Sequence, residues 1–551
     1  MSGSESSARR PRPWSRPRPL PSGALDAAGL VLRPPVTAIT GWALAERGLG
    51  RVEVAVGDAA AVRARIVAIP RPDVAALAPE PSAPICGWEA LVEVPELDPG
   101  SELELRATAV GPHGRTELGA ATLRVGEPFS RADVEPARTA TLRERADAEA
   151  TESPSAGPGL NLLAITHQLD LGGGQLFLQN LLRALMRDPG TRITVLSPSD
   201  GPLRRELERL GIEVHIVAPL GSDGLIYESR MRELVLLAST ISPDVVLVNT
   251  TLVFWGVDLA VRIGAPVLWT IHESVALDLQ PFGPLPRHDD HIRGRFLAAL
   301  RDADRIAFAA DSTRDLYRGN GDESRLVRID YGIPIAEIDD LRRELDREQL
   351  RSRLGYRPGE RLVICVGTVE ARKAQAALVL AFARLASEFP EARLALVGDR
   401  SSGYSRGIHE ALARMPGVAD RIRMVDLTPD TAPWFEIADA FALPSDIESL
   451  PLAILEAMTF DLPVLAAGAF GVGELIEDNV NGLLCEPRCL DSLTGGLRRL
   501  LALDPGELAE LGRSGGCTVR SLHDLDDAIH AYRDHLSELA GTPLRPAEAP
   551  V

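Results

Sequence analysis

Long apolar runs are missing from this sequence. No segment reaches the ~18 consecutive apolar residues that a membrane-crossing helix needs. The nearest, Asp244 to Trp269, is broken by Asn249, Asp258, Arg262 and Gly264-Ala265-Pro266, and reads as strand, helix, strand. No apolar segment follows the basic start MSGSESSARRPRPWSRPRPL, so no secretory signal is expected. Cysteine is scarce. The five residues Cys86, Cys365, Cys485, Cys489 and Cys517 are odd in number and scattered, which excludes a disulfide framework and gives no zinc spacing. Cys365, inside RLVICVG, reads as a small core residue, and a reducing cytoplasm fits the set. Positive charge is in deficit: 59 Lys and Arg face 78 Asp and Glu, a formal net charge of -19. Such a chain repels a phosphate backbone, so no nucleic-acid partner is expected.

What is present points to several domains. A chain of 551 residues exceeds one hydrophobic core, and three or so units are expected. Residues 1–29 are rich in Pro, Arg and Ser and read as a disordered tail. Its arginines leave room for peripheral contact with an anionic membrane face, although a solvated tail is the plainer reading. Residues 30–127 hold short β-prone runs separated by turn residues, such as TAITGWALAE, RVEVAVG, VRARIVAI and LELRATAVG. They predict a small antiparallel, β-sandwich-like accessory domain. Trp42 and Trp88 fit sugar-stacking platforms or, more commonly, sandwich core. Residues 128–157 read as a linker with one helix, TLRERADAEA.

From residue 158 strands and helices alternate. NLLAIT, TRITVLS, IEVHIVA, DVVLVN, PVLWTIH, RIAFAA and LVRIDYG form one series. RLVICVG, ARLALVG, RIRMVDL, AFALPS, PVLAAG and GLLCEP form a second. The pattern predicts two doubly wound, Rossmann-like α/β domains at 158–333 and 334–522, facing a cleft, with a helix and tail at 523–551.

Four motifs fall at strand ends. In HQLDLGGGQLFLQNLL, Gly172 to Gly174 lie between strand and helix, where backbone can approach a ligand; a plain tight turn is an equal reading. PVLWTIHES puts His272 at the active edge of the first sheet, as a ligand contact or a buried structural histidine. RLVICVGTVEARKAQAAL ends a strand at Gly367, and Arg372-Lys373 then open a helix. Cations are disfavoured at a helix start, so the pair suits a pyrophosphate. In DIESLPLAILEAM, Pro451 suits the first helical turn. Glu448 then lies in the loop and Glu456 inside the helix. Carboxylates beside an anion site accept hydrogen bonds from hydroxyls, as on a ribose or a hexose.

Together these pieces, with GVGELIEDNVNGLL, resemble the retaining GT-B glycosyltransferases of family 4 over about 160–520, Glu448 and Glu456 matching the E-x7-E motif. The resemblance implies a nucleotide-diphosphate sugar donor held mainly by the second domain, the first being the acceptor domain. Glu456 would hold the ribose and Glu448 the donor sugar. Arg372 and Lys373, with amides near Ser449 and Leu450, would stabilise the leaving diphosphate. His272 would contact the donor sugar near the reacting carbon. Gly173 and Gly174 would lie by the diphosphate and acceptor, and Gly367 and Thr368 would line the donor. The family needs no metal or other cofactor. A glycan, glycolipid or polysaccharide acceptor is implied, with a cytoplasmic location that allows contact at the inner face of the membrane. Departures are Thr368 where relatives carry Arg, Ala374 where they carry Gly, and Phe470 in a loop that is often Gly-Gly. Other readings are a GT-B relative with different sugar-nucleotide chemistry, and a non-catalytic carbohydrate-binding scaffold. The sequence carries no signal for oligomeric state.

Overall fold

The computed structural model describes residues 22–26, 36–44, 51–57, 60–67, 87–94, 97–98, 100–111, 114–125, 159–275 and 290–541. The expected linker at 128–157, the end of the tail at 542–551 and most of the N-terminal tail lie outside them.

The first unit is a sandwich of two antiparallel sheets. Its strands are β1 (Ser22–Leu25), β2 (Val36–Leu44), β3 (Arg51–Val56), β4 (Val62–Arg63), β5 (Arg65–Val67), β6 (Gly87–Glu93), β7 (Glu102–Gly111) and β8 (Gly114–Arg124). One sheet runs β1-β2-β6-β5 and the other β4-β3-β7-β8. Alternation dictates this: in β3 every second residue, Val52, Val54 and Val56, is buried. Two expectations are corrected. Residues 22–25 of the predicted disordered tail form β1, because they pair with β2 from Ser22↔Leu44 to Leu25↔Gly41. VRARIVAI is two short strands, which break at Ala64 and join different sheets. Trp88 is fully buried, so the core reading holds for it. A Cβ on Gly41 would stand 2.3 Å from Cζ2 of Trp88, so the indole packs directly on bare backbone.

Two parallel sheets follow. The first has β9 (Asn161–Thr166), β10 (Arg192–Ser197), β11 (Glu213–Ile216), β12 (Val245–Asn249), β13 (Val267–Ile271), β14 (Arg305–Phe308) and β15 (Leu326–Arg328), in the order β11-β10-β9-β12-β13-β14-β15. The second has β16 (Arg361–Val366), β17 (Ala392–Asp399), β18 (Ile422–Asp426), β19 (Ala440–Leu443), β20 (Val464–Ala467) and β21 (Leu483–Cys485), in the order β18-β17-β16-β19-β20-β21. Every expected strand of both series is present. Each order reverses direction once, between β9 and β12 and between β16 and β19. Ligand crevices of open parallel sheets form beyond the carboxyl ends of such strands.

The chain crosses between these domains twice. After the helix Pro505–Leu522 it returns, and the helix Leu525–Ala540 packs on the first domain. Tyr532 Oη lies 3.2 Å from Thr270 Oγ1 of β13, and Arg533 Nε donates to Asp188 at 2.8 Å. Among the described residues no helix is long and apolar enough to cross a membrane.

Candidate active site

The four predicted motifs converge because of the two strand reversals. His167 to Gly174 follow β9, and Thr250 follows β12; Gly367 to Lys373 follow β16, and Pro444 to Leu450 follow β19. His272 follows β13, one strand further out. The two halves touch: a Cβ on Gly173 would stand 3.9 Å from Leu452 Cδ1 of the second domain.

The second domain contributes a charged cluster. Lys373 Nζ donates to Glu448 Oε1, and Arg372 lies 3.5 Å from the same oxygen. Arg372 Nε also meets Glu370 at 2.8 Å. Burial alone would push the Glu448 carboxyl up, but Lys373 and Arg372 outweigh it and hold the group below the usual carboxylate range. Glu456 sits in the helix Leu452–Thr459, and its carboxylate makes no hydrogen bond or ion pair among the described residues. Burial pushes its carboxyl up to about 7. The backbone N–H groups of Ser449 and Leu450, in the loop before Pro451, likewise make no hydrogen bond among the described residues. Cations and unpaired amides on one side, with a free carboxylate beside them, suit an anion carrying a hydroxylated ring.

Here the sequence expectation needs one correction. Arg372 and Lys373 do not open the helix; they occupy a 3-10 turn, Ala371–Lys373, ahead of the helix Gln375–Leu385. The separation is made at Ala374, which takes a left-handed φ of 55°. The cations therefore stand off the helix start rather than against its dipole.

The first domain contributes a neutral polar cluster. Gly173 and Gly174 are not loop residues, as the spacing suggested, but the first turn of the helix Gly173–Leu185, because Gly172 is extended and accepts from the Leu176 N–H at 2.9 Å. A Cβ on Gly174 would stand 2.9 Å from His272 Cδ2, so the imidazole packs on this turn. His272 Nε2 donates to Asn249 Oδ1 at 2.6 Å, and its Nδ1 accepts from the Tyr331 hydroxyl. This assigns the Nε2–H tautomer from the hydrogen-bond network. Burial drives its pKa down to about 3, which keeps the ring neutral. His167 is a second such imidazole, pushed down to about 4 by burial and 3.2 Å from Gln175 Nε2.

Polar contacts bridge the domains around the cleft. Arg400 donates to Asp170 and, at 2.6 Å, to the Leu171 carbonyl. Ser274 and Thr313 hydroxyls lie 2.7 Å apart, and Thr313 donates to Ser449 Oγ at 3.2 Å. Arg328 meets Glu474 at 2.7 Å.

The structure thus brings together His272, Arg372, Lys373, Glu448, Ser449, Leu450, Glu456, Gly173, Gly174, Gly367 and Thr368 at the facing strand ends. Thr368 adds no charge; its carbonyl accepts from Gln375 Nε2 at 3.0 Å. Asn249, Tyr331, His167, Glu273 and Arg400 were not anticipated. Asn249 ends DVVLVN at a strand reversal, and that position was the available signal for it. Glu273 accepts from the N–H groups of Thr251 and His272, both at 3.1 Å, and burial pushes its carboxyl up. Among the described residues no group of three or more His, Cys, Asp or Glu could hold a metal ion.

Comparison with known proteins bears on the two α/β domains. The family model Glycosyltransferase Family 4 matches residues 171–337, and Glycosyl transferases group 1 matches residues 346–515. The fold is similar to that of Anabaena Alr3699/HepE, solved in complex with UDP and glucose, at TM-score 0.59 and 21% identity over 69% of this chain and 99% of that one. It is also similar to WaaG, a glycosyltransferase of lipopolysaccharide biosynthesis, at TM-score 0.54 and 16% identity over 69% of this chain and all of the other. The two α/β domains have the GT-B fold, and each matches a glycosyltransferase family model. The chain is 28% identical to the D-inositol 3-phosphate glycosyltransferase of Nocardiopsis dassonvillei, over 50% of this chain and 67% of that protein. Further curated relatives are spanned for 39% to 64% of their length. Neither family model reaches into the β-sandwich.

Proposed function

We propose that the protein is a retaining glycosyltransferase of family 4. It moves a sugar from a nucleotide-diphosphate sugar to a hydroxyl of a glycan, glycolipid or polysaccharide acceptor. The observation that carries this reading is the Lys373–Glu448–Arg372 cluster beside the unpaired Ser449 and Leu450 amides, with Glu456 free next to it.

The donor diphosphate would lie against Arg372, Lys373 and the two amides, with its ribose at Glu456 and its sugar toward Glu448 and His272. As the bond from the anomeric carbon to the phosphate oxygen breaks, charge builds on that oxygen, where cations and amides are already placed. The acceptor oxygen bonds the same carbon from the same face, and its proton passes to the departing diphosphate. Glu448, engaged by two cations, is a poor nucleophile, in keeping with this front-face displacement. Arg372, Lys373 and the amides supply the positive charge, so no metal is required in this reading.

HepE was solved with UDP and with UDP-glucose. UDP-glucose is therefore the first donor to assay, followed by GDP- and ADP-sugars. The names of the relatives make D-inositol 3-phosphate one acceptor to include. Glu448→Ala and Lys373→Ala should each lower nucleotide release by roughly 100-fold or more with an unchanged circular dichroism spectrum; unchanged turnover in both variants would sink the assignment.

A further inference from the structure

We propose that Tyr331 is a positioning residue for the transfer reaction: its hydroxyl, anchored at the interdomain crossover, sets the tautomer and orientation of His272. The inference rests on the site proposed above and goes one step deeper into it.

Tyr331 belongs to none of the four motifs. It lies just past β15, where the chain leaves the first domain. That crossover is bonded to the returning strand of chain: Ile333 N–H donates to the His523 carbonyl at 3.0 Å, and Leu525 N–H donates to the Ile333 carbonyl at 3.0 Å. His523 Nδ1 lies 3.0 Å from the Tyr331 carbonyl itself. The backbone of Tyr331 is therefore fixed at the one place where both interdomain connections meet.

Its side chain points from there into the site. The ring is buried and packs on Phe177, at 4.7 Å between centroids, and Phe177 packs on Tyr532 of the returning helix at 5.4 Å. The hydroxyl ends on His272 Nδ1. A hydroxyl donating to Nδ1 leaves the ring proton on Nε2, where Asn249 Oδ1 receives it. Without the hydroxyl, Asn249 Oδ1 alone holds the proton on Nε2, and the bias toward that tautomer weakens. The ring then loses one of the two hydrogen bonds that fix its angle over Gly174. Phe would keep the aromatic stack and lose only this bond.

The experiment uses the full chain with ¹⁵N-labelled histidine, His272→Gln serving to assign the signal. The wild-type spectrum should show a neutral Nε2–H imidazole for His272, and Tyr331→Phe should shift it toward a tautomer mixture. With UDP-glucose or whichever donor supports turnover, Tyr331→Phe should lower kcat roughly tenfold, the worth of one hydrogen bond. Donor KM should stay within about twofold, since the phosphate cluster is untouched. A wild-type His272 carrying its proton on Nδ1 would overturn the inference, as would Tyr331→Phe with unchanged tautomer and kcat. If Tyr331→Phe is silent while His272→Gln and Glu448→Ala are inactive, this inference fails and the site stands. Full activity in His272→Gln and Glu448→Ala would remove the site itself.

Discussion

Lys373 and Glu448 form an ion pair inside the cleft, with side chains only 12% and 8% exposed. Glu448 is thus a counter-ion, beside the hydroxyl-accepting role proposed for it. Removing Lys373 leaves the buried Glu448 with Arg372 alone, 3.5 Å away, so the cost should fall below the about 3–5 kcal/mol of a buried charge left with no partner. Lys373→Met should therefore lower the melting temperature, lower kcat by roughly 100-fold as a leaving-group stabiliser is lost, and raise the Glu448 pKa. The double variant Lys373→Met with Glu448→Gln should recover stability but not activity. Calorimetry and nucleotide-release kinetics on wild type, the two single variants and the double variant give both answers.

Glu456 sets a pH dependence. Its carboxyl is pushed up to about 7, so the folded protein holds this proton to a higher pH than the unfolded chain does. Its contribution to stability is full in acid and is lost as pH rises through about 7. Hydroxyl acceptance needs the ionised form, so donor KM should fall over the same range. Glu456→Gln should be more heat-stable than wild type near pH 8, and its donor KM should be higher and flat with pH. A KM that ignores pH in the wild type would refute the role.

Ala374 carries strain at the anion site. Its left-handed φ of 55° costs an L-residue roughly 1–2 kcal/mol. Ala374→Gly should raise stability by about 1 kcal/mol, less the extra freedom glycine gives the unfolded chain. Denaturant midpoints measure it.

Arg400 holds the two domains together at the cleft mouth through Asp170 and the Leu171 carbonyl. Its side chain is 31% exposed, so the pair is screened and worth about 0.2–1 kcal/mol. Arg400→Ala should widen the cleft in small-angle scattering and lower kcat by no more than about fivefold. High salt should reproduce part of that effect in the wild type.

Much of the architecture was legible in local pattern. Strand periodicity and the alternation of NLLAIT, TRITVLS and their successors with helical segments predicted both parallel sheets. Pro451 separated Glu448 from the helix that holds Glu456. Strand β1 was not legible, since SGAL is apolar for too short a stretch to signal a strand until β2 pairs with it. The 3-10 turn at Arg372 was also hidden, because it depends on the backbone of Ala374 and not on any helix-start residue.

The sequence by itself determined which chemistry-bearing residues stand at strand ends, because hydrophobic periodicity and turn residues act between near neighbours in the chain. Only the tertiary structure decided their partners. Glu448 takes up Lys373 and Arg372, His272 is held between Asn249 and Tyr331, and the Glu456 carboxylate has no partner among the described residues. Those partners lie tens of residues apart, on strands brought side by side by the two reversals. Hydrogen bonds and ion pairs depend on distance in space, which no local pattern encodes.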